Sequence, residues 1–273
     1  MEIKTLAGVS LSTLTAVFNQ AFTGYFVPIN MSEEGMADRL ARARIDLSQS
    51  IGTFTKDGLV AFMLTGIEQR GDRKVAYNAG TGVIPDYRRQ RLVKQMYAWA
   101  EDFWRAAGFT DLTLEVIVEN KYAIKAYEGV GFRIERRLAS FKYQRDDAAS
   151  SSSELEQVEK PNWPSYAQLR AFAPSWDFNQ AGVEAVKQDY EFFEGSSATG
   201  DAFAIVHKNG RIAQAGCSSG TVEDWDRLLS NLEKQHNSLT WVNIDVKAEA
   251  LLEAVQQRGW EPIIEQYEMF RSL

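Results

Sequence analysis

Residues 112–132 read LTLEVIVENKYAIKAYEGVGF, and this stretch decides the fold of the first half of the chain. LTLEVIVEN (112–120) is almost continuously apolar, the pattern of a strand buried on both faces. KYAIKAYEGVG (121–131) then has the spacing of a helix, with Asn120 placed to cap its start. FRIERRLASFKYQ (132–144) is a further strand. Glu115 is the one ionisable residue between Leu112 and Val118, and alternation puts it on a face with Thr113 and Ile117. A carboxylate buried there costs several kcal/mol unless it is paired or functional. Two readings stay open, a general base and an ion pair with Arg133 or Arg136.

Upstream, VIPDYRRQRLVKQ (83–95) joins a strand to a helix through a proline and a basic cluster. The strand is VAYNAGTGVI (75–84) and the helix is RLVKQMYAWAEDFWRAAG (91–108), with Gly108 as its C-cap. Earlier still, SLSTLTAVFNQAF (10–22) and EEGMADRLARARI (33–45) read as helices. SIGTFTKDGLVAFMLTGIE (50–68) is a hairpin turned at Lys56-Asp57-Gly58. The order predicts an α/β fold, with a mixed, largely antiparallel sheet flanked by helices. The start of helix 91–108 favours an anion, because its first amides lack intrahelical acceptors and Arg88, Arg89, Arg91 and Lys94 surround it. A solvated basic turn is the plainer reading of the same residues.

The second half repeats this ending. GDAFAIVHKNGRIAQAG (200–216) is a hairpin turned at Asn209-Gly210, and VEDWDRLLSNLEKQH (222–236) a helix. LTWVNIDVKAEALLEAVQQRGW (239–260) has the layout of residues 112–132, and EPIIEQYEMFRSL (261–273) is a final strand. Two copies at a long period indicate a duplicated fold rather than a solenoid. Between the halves, RDDAASSSSELEQ (145–157) is polar and low in complexity and reads as a linker. The expected organisation is a domain over 1–145, a Ser-rich linker over 146–160 and a second domain over 161–273.

Composition sets the outer limits. The hydrophobic fraction of 45% is ample for a core in each half. Residues 1–145 hold 20 Lys and Arg against 16 Asp and Glu, whereas 146–273 hold 10 against 21. The net charge of −7 argues against nucleic-acid binding, and the mildly basic first half suits a small anion. No run of about 18 or more apolar residues indicates a membrane span. The N-terminus lacks a signal-peptide pattern, so a cytoplasmic location is expected. With one Cys (Cys217) and two His (His207, His236), no metal site is expected.

Three stretches make the first half resemble the GNAT superfamily of N-acetyltransferases. VIPDYRRQRLV matches that family's strand, proline and pyrophosphate loop, Gln/Arg-x-x-Gly-x-Gly/Ala, with Arg91 and Val93 in the glycine positions. Asn120-x-x-Ala123-Ile124-x-x-Tyr127-x-x-x-Gly131-Phe132 matches its signature in register, and Leu114-Glu115-Val116 the strand before it. The resemblance implies acetyl-CoA as cosubstrate and an amine, small molecule or peptide, as acceptor. It implies cosubstrate contacts from Val83, Arg88, Arg89, Gln90, Arg91, Leu92, Val93, Lys94, Asn120 and Tyr127. Tyr127 would also be the general acid for the departing thiolate. Glu115 stands where the ribosomal-protein N-terminal acetyltransferases of this family place a base, with Glu119 as an alternative. The missing glycines are accommodated if the loop keeps helical dihedrals with its side chains turned outwards. The aromatic stretch FNQAFTGYFVPIN (18–30) lies where the family binds acceptors, and reads equally as core. The second half resembles a degenerate copy of the fold, with Ala248 and Val255 at the positions of Asn120 and Tyr127. A non-catalytic acyl-CoA sensor is the rival function, and a scaffold that binds no cosubstrate a third.

Overall fold

The structure is a computed structural model, and it describes residues 1–24, 30–145, 153–197 and 200–273. The chain divides into two compact units, Met1–Glu135 with Glu268–Leu273, and Arg136–Tyr267.

The first unit contains β1 (Glu2–Thr5), α1 (Leu11–Ala21), α2 (Glu33–Arg42), β2 (Ile51–Thr55), β3 (Gly58–Arg70), β4 (Arg73–Val83), α3 (Leu92–Ala106), β5 (Asp111–Ile117), α4 (Lys121–Glu128) and the start of β6 (Arg133–Gln144). β1 through β4 pair antiparallel in sequence order, and β4 pairs parallel with β5. Residues 59–64 of β3 are buried on both faces, which explains their unbroken apolar run. α1 closes tightly on the sheet at Gly82, where a Cβ would lie 2.5 Å from Phe62 and 2.7 Å from Ala21. Phe18 is 1% exposed and stacks on Phe62 at 5.6 Å, so this part of the 18–30 stretch is core. Residues 25–29 of that stretch lie outside the described residues.

The second unit contains the rest of β6, then β7 (Glu156–Val158), α5 (Trp163–Leu169), α6 (Gln180–Ala185), β8 (Tyr190–Ser197), β9 (Gly200–His207), β10 (Arg211–Cys217), α7 (Val222–Gln235), β11 (Ser238–Asp245), α8 (Glu249–Gln257) and the start of β12 (Glu261–Ser272). β7 through β10 are antiparallel, and β10 pairs parallel with β11. Each unit therefore has a parallel step, bridged by a helix, that follows a run of antiparallel strands. Trp225, Trp241, Leu229 and Trp260 centre the core of this unit.

Three features depart from the sequence reading. The first concerns the closing strands. Residues 132–144 read as the last strand of the first half, but β6 from Leu138 onwards pairs with β11 in the second unit. The end of β12 instead lies beside β5 in the first unit. There, Thr113 Oγ1 donates to the Met269 carbonyl at 3.1 Å, and Leu273 N–H to the Thr110 carbonyl at 2.9 Å. Both strands have similar alternating patterns, and the choice of neighbour is set by pairings far away in sequence.

The second departure is in the Ser-rich stretch. Residues 146–152 lie outside the described residues, but Leu155 is buried and Glu156–Val158 form an edge strand on β8. The third is at the end of LTLEVIVEN, where β5 stops at Ile117 because the Asn120 N–H turns back to the Ile117 carbonyl at 2.9 Å.

Candidate active site

The site begins where β4 and β5 part. Their last paired residues are Asn78 and Leu114, although β4 runs on to Val83 and β5 to Ile117. Ala79 is the extra residue of a bulge in the β3–β4 ladder, which turns the end of β4 away. Asn78 fixes this point. Its Nδ2 donates to Tyr97 Oη at 2.8 Å, and its Oδ1 accepts from Gly80 N–H at 3.0 Å. Arg39 on α2 donates to the Ala79 carbonyl.

The loop after β4 ends at α3 without a side-chain cap. α1, α2 and α4 are all capped, by Ser10, Ser32 and Asn120. The first-turn amides of α3, at Leu92, Val93 and Lys94, thus lack both an intrahelical and a capping acceptor. Arg89 (φ 63°) and Arg91 (φ 59°, ψ 25°) are both left-handed. This corrects the expectation of helical dihedrals. The loop keeps the turn that glycine normally serves, at about 1–2 kcal/mol of strain per arginine. Such a turn directs successive N–H groups into an anion-binding nest.

In front of this helix end lies a cleft of about 480 Å³. Val83, Arg88, Arg89, Arg91, Leu92, Val93 and Lys94 line it, as do Tyr87, the α4 residues Tyr122, Lys125 and Ala126, and the α4 C-cap Gly129. Gln90 is outside the lining, and its carbonyl accepts from Gln95 Nε2 at 3.0 Å. Arg88 is a clamp rather than an outward charge, with Nη2 on the Ala21 carbonyl at 3.0 Å and Nε on that of Val83 at 3.2 Å.

Asn120, Tyr127 and Glu115 are not among the residues that line the cleft. Asn120 Oδ1 accepts from Ala123 N–H at 3.1 Å, which is the cap read from sequence. Tyr127 is half-buried, edge-on to Tyr97 at 6.4 Å and to Phe132 at 5.9 Å. Gly131 (φ 95°) makes the turn that brings Phe132 under it. Through Tyr97, Tyr127 is tied to the Asn78 junction. Burial holds the Tyr97 hydroxyl well above the usual phenol range, with Tyr127 nearby adding to the effect and the Asn78 hydrogen bond opposing it. Tyr97 therefore stays neutral and acts as a brace. Glu115 is half-buried, one residue past the last β4–β5 pair. Of the two arginines considered as its partners, Arg133 lies over Phe270, and Arg136 is 3.5 Å from Asp245.

Sequence reasoning missed Asn78, Tyr97, Tyr122, Lys125 and Arg271. Arg271 pairs with Glu101 of α3 and packs beside Gly131. Only the spacing 122, 125, 126 and 129 on one helix face gave a usable signal.

A parallel strand pair that splays, with an uncapped helix N-terminus before it, makes a cleft able to take an anion. Residues 16–132 match the family model described as the acetyltransferase (GNAT) family, and this part of the chain is a GNAT domain. Members of that family use acetyl-CoA and act on amine acceptors.

Among solved structures, one from Pyrococcus horikoshii, assigned as an acetyltransferase, is similar with a TM-score of 0.70. It is 14% identical, over 100% of this chain and 89% of that one. A GCN5-related N-acetyltransferase from Sphaerobacter thermophilus is similar with a TM-score of 0.67 and 10% identity, over 99% and 95%. A tandem GNAT protein from the clavulanic acid biosynthesis pathway has a TM-score of 0.60 and 12% identity, over 99% and 98%. At these identities the likeness is one of fold, and it spans both units. None of the curated proteins matches the chain. Among the described residues no group of His, Cys, Asp or Glu is placed to hold a metal, and no helix is long and apolar enough to cross a membrane.

Proposed function

We propose that the first unit moves the acetyl group of acetyl-CoA directly to an amine. The observation that carries this reading is the uncapped start of α3, with its two left-handed arginines, opening on a basic cleft beside the β4–β5 splay. The residues fit the cosubstrate. The amides of residues 89–94 hold the pyrophosphate, and Arg89, Arg91 and Lys94 supply charge. Backbone groups near Val83 hold the pantetheine arm and the thioester oxygen, where one aimed donor contributes about 3 kcal/mol. Asn120, whose Oδ1 caps α4, also lies along the pantetheine arm.

When bound, acetyl-CoA supplies the activated acyl group. Glu115, directly or through a water, takes the proton of the attacking amine. Tyr127 gives its phenol proton to the departing thiolate and recovers one from solvent. A phenol of intrinsic pKa about 10 and a thiol of about 8.5 make that transfer feasible. The rest of the acceleration comes from holding amine and thioester together. The second unit is a degenerate copy without a cosubstrate site, since Ala248 starts α8 without a side-chain cap and Val255 replaces the tyrosine.

Incubation with acetyl-CoA and a panel of amines, followed by thiol release, tests the reading. Turnover with at least one amine is expected. Saturable CoA binding with no turnover would support the sensor instead. Tyr127→Phe is expected to lower turnover more than about tenfold while CoA affinity stays nearly unchanged. Equal loss of both would make Tyr127 a packing residue.

A further inference from the structure

Tyr97 lies on the buried face of α3 and is 2% exposed. Its hydroxyl meets Asn78, and a third group settles the direction of that bond. Gly80 N–H can only donate, so the Asn78 atom it meets at 3.0 Å is Oδ1. Nδ2 therefore faces Tyr97 and donates to its Oη at 2.8 Å. Tyr97 is the acceptor here, which leaves its own hydrogen unspent. Among the described residues none takes that hydrogen. A buried polar hydrogen without an acceptor is costly, and such groups gather where function needs them.

Three rings stand edge-on to Tyr97: Phe132 at 5.6 Å, Trp104 at 6.1 Å and Tyr127 at 6.4 Å. Phe132 has no polar atom, and Trp104 Nε1 is a donor already given to the Gln49 carbonyl at 3.1 Å. Of the three, Tyr127 alone carries an oxygen able to accept. As a neutral phenol it accepts weakly. Once its proton has passed to the thiolate it is a phenolate, and a hydrogen bond to an ionised acceptor is about twice as strong. Burial holds the Tyr97 hydroxyl well above the usual phenol range, so it does not ionise in place of Tyr127. A donor that is unspent at rest and satisfied only as charge develops favours the transition state over the ground state.

We propose that Tyr97 is a positioning residue for the general acid: its hydroxyl, oriented by Asn78, donates to Tyr127 Oη as Tyr127 becomes a phenolate. No proton leaves Tyr97. The proton that reaches the thiolate is that of Tyr127, which recovers one from solvent while Tyr97 keeps its own. The inference rests on the reading of Tyr127 as the acid, and it makes position 97 a determinant of rate rather than of cosubstrate affinity.

Steady-state turnover of the full chain with acetyl-CoA and an accepted amine tests it, for wild type, Tyr97→Phe, Tyr127→Phe and the double variant. Tyr97→Phe keeps the ring and is expected to lower kcat about tenfold, with KM for acetyl-CoA and the denaturation midpoint nearly unchanged. In the Tyr127→Phe background the same change is expected to have no further effect, because Tyr97 acts only through Tyr127. Tyr97→Phe is also expected to move the high-pH loss of kcat upwards by about one pH unit, since a phenol deprived of its donor ionises less readily. Full turnover by Tyr97→Phe, an unmoved high-pH limb, or a tenfold loss that persists when Tyr127 is already Phe overturns the proposal. Tyr127→Phe that turns over as wild type does overturns the assignment of the acid itself.

Discussion

α3 and α7 each bridge a parallel step of their unit, and their N-termini are opposites. α3 starts at a left-handed arginine with no side-chain cap and opens on a cleft of about 480 Å³. α7 starts at Thr221, whose hydroxyl accepts from Asp224 N–H, and carries Glu223 and Asp224 in its first turn. The pocket beside it, lined by residues including Cys217, Ser218, Asp224 and Arg227, holds about 40 Å³. Both helices have the same macrodipole. In α7 the chain's own oxygens satisfy the helix start, whereas in α3 that end is left for an external anion.

The next helices reverse the pattern. Asn120 caps α4, while Ala248, with nearly the same backbone (φ −80°, ψ 63° against φ −79°, ψ 65°), leaves α8 uncapped. The helix pairs are also joined differently. Tyr97, Tyr127 and Phe132 pack as three rings in the first unit. In the second unit, Glu233 takes hydrogen bonds from Arg258 at 2.8 and 2.5 Å and from Trp260 at 2.7 Å. One copy joins its helices through aromatic rings, and the other through a closed ionic network.

The largest expected effect follows from the exchange of closing strands. A chain lacking Glu268–Leu273 loses the fully buried Met269 and the Arg271–Glu101 pair, both in the first unit. Denaturant unfolding should show the first unit destabilised by about 3 kcal/mol or more, with CoA binding lost. A shortened chain that binds CoA as before would break this link. Arg91→Asp makes α3 resemble α7, placing a carboxylate at a left-handed position that Asp tolerates. CoA affinity, read by titration calorimetry, should fall about a hundredfold through loss of one charge and gain of its opposite. The caps give the smallest effect. Asn120→Ala should cost about 1 kcal/mol of stability and Ala248→Asn add a similar amount, both read from denaturation midpoints.

Much of this was legible in the sequence, and what was not had a physical reason. Helical spacing located α1, α2, α3, α4, α7 and α8, and the Asn120 cap could be named from its residue type and place. β8, α5 and α6 were not anticipated within residues 161–199. The strand exchange was invisible because β6 and β12 carry interchangeable patterns, and pairing is decided by neighbours distant in the chain. The strain at Arg89 and Arg91 was hidden for another reason, since arginine is an unexpected residue for a left-handed turn. Tyr97 and Asn78 read as ordinary helix and strand residues. Their bond becomes visible only when the bulge at Ala79 brings them together.

The most direct test is a titration of CoA followed by backbone amide resonances. Those of residues 89–94 should shift saturably, while those of 222–225 at the start of α7 stay in place. CoA that leaves the α3 amides unmoved, or that shifts the α7 amides equally, would contradict the assignment of α3 as the open anion site.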